Sequence, residues 1–205
     1  MDNLTEFKRK IWITRKSRIQ ASERILRKYN VYQGVLIYYS IVIVIYSIWN
    51  IQPVNTNGRI TEAALFLMII SVIFSLFSLF VSTKNLQEKF FNLKINYIEL
   101  EKLYGQLSVL KPESVHEITN VRNHYNNLLS AVDNHETIDY YRVLLNDTEE
   151  SNKLNEEQVE RYKKTIWKTG IYDKSYQVLL YLMPIILPII IKGLVITMNF
   201  FFPSN

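Results

Sequence analysis

Apolar and charged positions along this 205-residue chain separate into long blocks. No Asp, Glu, Lys or Arg occurs in residues 29–58, 63–83 or 175–191. The first two blocks contain mostly apolar runs of the roughly 20 residues that a helix needs to cross about 30 Å of hydrocarbon. A soluble chain of this length would distribute the same side chains amphipathically. The pattern therefore predicts an integral membrane protein with spans at about 31–51 and 63–82. Tyr29 and Tyr32 at one end of the first run, and Tyr46 and Trp49 at the other, suit ring systems at headgroup level. Residues 52–59 carry Pro53 and Gly58 and read as the tight turn of a helical hairpin. Thr61 followed by Glu62 suits the start of the second helix. The first run is too long and begins too late to be a signal peptide.

A third apolar segment, 178–202, is interrupted by Pro184, Pro188 and Lys192. It is long enough to cross, and a proline-kinked third span is the preferred reading. A helix lying in the interface and a re-entrant piece are the alternatives. Each proline frees a backbone carbonyl that a neighbouring helix or water must satisfy. Lys and Arg near the span ends set the orientation. Arg15, Lys16, Arg18, Arg24, Arg27 and Lys28 precede the first span, and the turn has only Arg59. Lys84, Lys89, Lys94 and Lys102 follow the second, and Arg161, Lys163, Lys164, Lys168 and Lys174 precede the third segment. The N-terminus and residues 83–174 are thus expected in the cytoplasm, with the turn outside.

The polar regions show helical periodicity. Residues 1–30 hold nine basic and three acidic residues, a net +6, with Leu4, Phe7, Ile11, Ile19, Leu26 and Tyr29 at helical spacing. This predicts a basic amphipathic helix leading into the membrane and attracted to anionic lipid. The same arm could contact nucleic acid, but adjacency to a span already accounts for its charge, so no direct nucleic-acid binding is expected. Leu86, Phe90, Leu93, Tyr97, Leu100, Tyr104 and Leu107 recur at intervals of 4, 3, 4, 3, 4 and 3, a heptad seam. Packing in a small bundle and self-association both fit it. Pro112 closes that helix, Ser114 with Glu117 suggests a capping box for the next, and Thr137 to Leu145 suggests a third. Residues 146–157 are polar and acidic and read as a loop, before a basic helix over 158–168. The expected fold is an all-α membrane protein: a two-helix transmembrane hairpin, a cytoplasmic helical bundle and a third, proline-kinked C-terminal membrane helix. Its parts are the arm 1–30, the hairpin 31–82, the cytoplasmic region 83–174 and the C-terminal segment 175–205.

Candidate chemistry is narrow. The chain has no Cys, which excludes disulfides, a thiol nucleophile and zinc–thiolate or iron–sulfur sites. His116, His124 and His135 form no metal-binding pair, and no phosphate loop or nucleophile elbow occurs. No enzyme activity, metal or cofactor is expected. The Asn3 and Asn146 glycosylation motifs fall on the inner side and are discounted. In the second span Ser71, Ser75, Ser78 and Ser82 share one helical face. Such a row is either a close helix–helix packing seam, the commoner case, or the lining of a narrow wet pore. Gln33, Ser40 and Ser47 give the first span a weaker version. No ionisable residue lies mid-span in either helix, which disfavours proton relays, voltage sensors and coupled transport.

Trp12, Arg15, Ser17, Ala21 and Arg24 on a basic helix, then the short-turned hairpin, then Tyr97, Leu100, Glu101 and Tyr104 on a long helix, form a pattern over about residues 5–110. It resembles the SLATT proteins, two-transmembrane effectors of bacterial conflict systems. The resemblance implies a homo-oligomeric effector of anti-phage defence that permeabilises or depolarises the inner membrane. It also implies a separately encoded regulator, either a nucleotide-signalling protein or a reverse transcriptase with its noncoding RNA. A non-conducting adaptor that anchors a cytoplasmic partner complex is the alternative. The third apolar segment departs from the minimal two-span plan of that family.

Overall fold

The computed structural model describes residues 2–49, 62–132 and 135–201, with side chains described over 4–48, 64–132 and 135–184 and at 186. The expected turn at 52–59, the Thr61 cap and the side chains of Trp49, Pro188 and Lys192 lie outside the described residues. The described backbone forms helices α1 (Asp2–Trp49), α2 (Glu62–Thr83), α3 (Leu86–Val109), α4 (Val115–Ser130), α5 (Thr137–Asn146), α6 (Thr148–Ser151) and α7 (Glu156–Phe201), and contains no strand.

Two elements expected as separate pieces are continuous. The basic arm and the first span form one 48-residue helix, α1. The basic helix at 158–168 and the third apolar segment form one 46-residue helix, α7, which runs through both prolines. The acidic stretch 146–157 is not all loop. Asp147 caps the short helix α6 by accepting the Glu150 N–H at 3.0 Å. Ser114 stands at the start of α4 but makes no side-chain cap. The capping box belongs instead to α5, where Glu136 and Asp139 exchange bonds with each other's backbone N–H.

The chain divides into two units. The first comprises Met1–Tyr29 and Asn85–Ile171. Its core joins Phe7 and Ile11 of α1, Leu100, Leu103 and Leu107 of α3, and Val121 and Tyr125 of α4. Phe7 meets Tyr125 edge-on at 5.7 Å, and Tyr141 of α5 stacks on Tyr162 of α7 at 3.8 Å. Among the buried positions of α1 here, Phe7, Ile11, Thr14, Arg18 and Ala21 step by 4, 3, 4 and 3, with Ser17, Ser22 and Arg24 buried beside them. The apolar face of the arm is therefore a bundle face, filled by its own chain. Asn85, at the head of α3, takes a left-handed conformation with φ 47°, which Asn tolerates better than most residues.

The second unit comprises Asn30–Lys84 and Tyr172–Asn205. α1 and α2 each carry an 18-residue window apolar enough to cross a membrane, with mean hydropathies of 1.8 and 2.8. Only 6% of each window is buried within the chain. A soluble core helix of that composition would be buried by its neighbours. Here Ile37, Val44, Ile45, Leu76 and Leu79 point outward, where lipid satisfies them.

Candidate functional site

The membrane unit is assembled around aromatic contacts between α1, α2 and α7. Tyr39 of α1 packs on Phe74 and Phe77 of α2 at 6.2 and 6.0 Å, and Tyr46 meets Phe66 edge-on at 5.5 Å. Tyr38 lies 5.9 Å from Tyr181 of α7. Gly34 permits the close approach on that side, because a Cβ there would stand 3.0 Å from the Tyr181 hydroxyl. Leu180 and Pro184 of α7 complete an apolar cavity of about 190 Å³, walled otherwise by Val42 and Ile43 of α1 and Ile70 and Phe74 of α2, among others.

One polar bond in this interior has a specific cause. Proline at 184 has no N–H for the Leu180 carbonyl four residues earlier. The Tyr39 hydroxyl donates to that carbonyl at 2.5 Å. A neighbouring helix thus supplies the bond that the proline removes, which lets α7 continue through an apolar environment.

The serine row lies on a different face of α2. Ser71, Ser75 and Ser82 are exposed and Ser78 is half-buried. None of the four lines the cavity, whose α2 wall lies roughly a third of a turn away at 3.6 residues per turn. Ser71 turns its hydroxyl back onto the Met68 carbonyl at 2.8 Å. Ser40 and Ser47 of α1 do the same to Ile37 and Ile43. Within one chain, then, the row contributes no side chain to the cavity wall.

The expected heptad seam is divided by the fold. Leu93, Leu100 and Leu107 are buried, but Leu86, Phe90, Tyr97 and Tyr104 only border the core. Asn96 and Leu103 take the remaining buried positions. Asn96 is there for Arg18, whose guanidinium is wholly buried. Arg18 donates to Asn96 Oδ1 and to the carbonyls of Leu128 and Leu129, the latter two at 2.9 and 3.3 Å. Those carbonyls belong to the last turn of α4, where backbone acceptors lack helical partners and the dipole favours a cation. Burial pulls the Arg18 pKa below its ordinary value.

Other arginines of the arm are engaged in the same way. Arg24 grips the fully buried Asp139 through Nε at 3.0 Å and Nη2 at 2.9 Å, and reaches Glu136 at 2.7 Å. Burial opposes its charge, but those two carboxylates outweigh burial and raise its pKa. Arg9 forks onto Glu150 at 2.6 and 2.5 Å, which, with Lys153, holds the Glu150 carboxyl down at about 2. Arg15 pairs with Glu101. Thr14 shares a 2.9 Å bond with Tyr125, whose burial raises its phenol pKa. The arm expected to attract lipid through its charge therefore spends Arg9, Arg15, Arg18 and Arg24 on its own bundle. Sequence reading saw the charges but had no signal for their partners. Among the described residues, no group of three His, Asp or Glu side chains is placed to hold a metal.

An all-helical chain with two membrane-length helices and a helical bundle defines a two-transmembrane helical domain. The family model of the SMODS and SLOG-associating 2TM effector domain family 5 matches residues 1–194. The chain belongs to this family and is a membrane effector domain; the family is not a known enzyme family. No curated protein and no solved structure matches the chain.

Proposed function

We propose that this protein is the membrane-damaging effector of a bacterial anti-phage defence system. Copies of the chain assemble in the inner membrane with the N-terminus and bundle in the cytoplasm, and open a conducting path that collapses the membrane potential. The α7 segment forms a third span in each copy. A separately encoded protein associated with the system restrains or triggers assembly; a nucleotide-signalling protein and a reverse transcriptase with its noncoding RNA are the two candidate classes. The observation that carries this reading is the open serine row. Ser71, Ser75, Ser78 and Ser82 form the polar stripe of the uncharged stretch 63–82, and none of them lines the cavity. Hydroxyls placed so can meet the same row of another copy or line water between copies.

A potential-sensitive dye in cells induced to express the full chain tests the reading. Rapid loss of membrane potential at toxic expression is the expected result. Toxicity at an unchanged potential overturns it.

A further inference from the structure

The inner seam of α3 is consumed by the chain's own bundle, but α3 carries a second seam on its outer side. Phe91, Ile95, Ile98, Lys102, Gly105 and Val109 recur at intervals of 4, 3, 4, 3 and 4. That is a strict heptad spacing over the whole helix after its first turn. Phe91, Ile95, Ile98 and Val109 are 48, 60, 40 and 82% exposed, and a Cβ on Gly105 would meet nothing within 4 Å. An apolar stripe of this regularity on a polar bundle is a mark of an interaction site.

We propose that this outer stripe of α3 is the surface on which a second copy of the chain docks, the two α3 helices running parallel. The inference rests on the reading of the protein as an assembly of copies, and names the surface that joins them. Charge selects the occupant. In heptad terms Ile95 and Lys102 take a positions, and Phe91 and Ile98 take d positions. Lys94 then stands at g and Glu99 at e. In a parallel pair each g residue meets the e residue five places on in the other helix. Lys94 therefore faces Glu99 of the partner subunit, and the symmetry of the pair makes that contact twice. Within one chain Glu99 already neighbours Lys102 at 2.7 Å, so the docked pair adds a cation to an acid that is set in place. Lys102 in the seam itself fixes register at a cost in stability. A lipid-facing helix would not carry Glu88, Lys94, Glu99 and Lys102 within and beside its apolar stripe, so lipid is a poor occupant.

The chain contains no Cys, so one introduced thiol reports without background. The full chain carrying Ile98→Cys, purified in detergent and oxidised with copper phenanthroline, is expected to run as a covalent dimer. Asn123→Cys, on an exposed position of α4, is expected to stay monomeric. Equal cross-linking of the two variants, or none in either, overturns the proposal; lipid or an unrelated protein on the stripe would give no cross-link in the purified chain. Ile95→Glu with Ile98→Glu should lower the particle mass by light scattering without lowering the melting temperature, since both side chains are outside the core. Lys94→Glu should weaken assembly, and Lys94→Glu with Glu99→Lys should restore it; failure of the exchange to restore it overturns the parallel register. If Ile98→Cys stays monomeric in a protein that still depolarises cells, the stripe is not the seam and the channel reading survives. If it cross-links in a protein that leaves the potential intact, the seam stands and the channel reading fails.

Discussion

Arg24 and Asp139 meet where little water reaches either, and removing one partner strands the other. Arg24→Met leaves a buried carboxylate without its cation and should cost about 3–5 kcal/mol. Arg24→Met combined with Asp139→Leu should recover much of that loss, since two apolar side chains replace the pair. Thermal melting of the full chain in detergent measures both. Acid acts on the same bundle through Glu150. Its carboxyl ionises at about 2 in the fold, against an ordinary 4.5. The stabilisation is complete above about 4.5 and is lost as the pH falls from there towards 2. His135 adds a loss at higher pH. Burial, helped by the charge of Arg18, keeps its pKa below 6.5, so acidification below 6.5 protonates the unfolded chain in preference to the folded one. Melting temperatures should decline from pH 7.5 to 5.5, and His135→Gln should remove most of that decline; a His135→Gln protein with the same slope would show that another group is responsible.

Among the elements, α7 depends on a bond from α1. Tyr39→Phe should cost about 0.5–2 kcal/mol, the range for hydrogen bonds between membrane helices. In a Pro184→Ala background the restored N–H can reach the Leu180 carbonyl itself, so Tyr39→Phe should then cost close to nothing. Equal losses in the two backgrounds, read from unfolding in mixed micelles, would break the link between Tyr39 and the proline. The elements also show what a sequence can disclose. The spans of α1 and α2 were legible because bilayer thickness imposes their length and excludes charge. The need created by Pro184 was legible too, but its supplier was not, since nothing local marks Tyr39, which lies 141 residues from Leu180. The two faces of α3 were harder. Its apolar residues satisfy two heptad registers at once, and only packing against α1 and α4 decides which is inside. The partners of the α1 arginines were hidden for a related reason. Charge is visible in a sequence, but a buried counter-group such as Asp139 looks like any other surface acid.

For the whole molecule, the serine row gives a test that separates conduction from packing. Ser75→Leu with Ser78→Leu should reduce conductance in planar bilayers while leaving the oligomer mass unchanged, if the hydroxyls line water. A changed mass with normal conductance per assembled particle would assign the row to packing instead. The outer stripe of α3 and the row on α2 belong to different units, so their variants should separate cleanly: loss of assembly from the first, loss of current from the second. The membrane unit and the bundle are also built with unlike chemistry. One relies on aromatic packing and the Leu180 carbonyl that Tyr39 satisfies, the other on arginines buried against acids and helix ends.

The pairing of Arg9 with Glu150 joins residues 141 positions apart. Synthesis runs from the N-terminus at about 5–20 residues per second, so the arm emerges roughly 7–30 s before its acid exists. During that interval Phe7, Ile11 and the arginines of the arm have none of the bundle partners that later cover them. The apolar face and the arginines of the arm therefore wait through most of synthesis for partners that the chain supplies late.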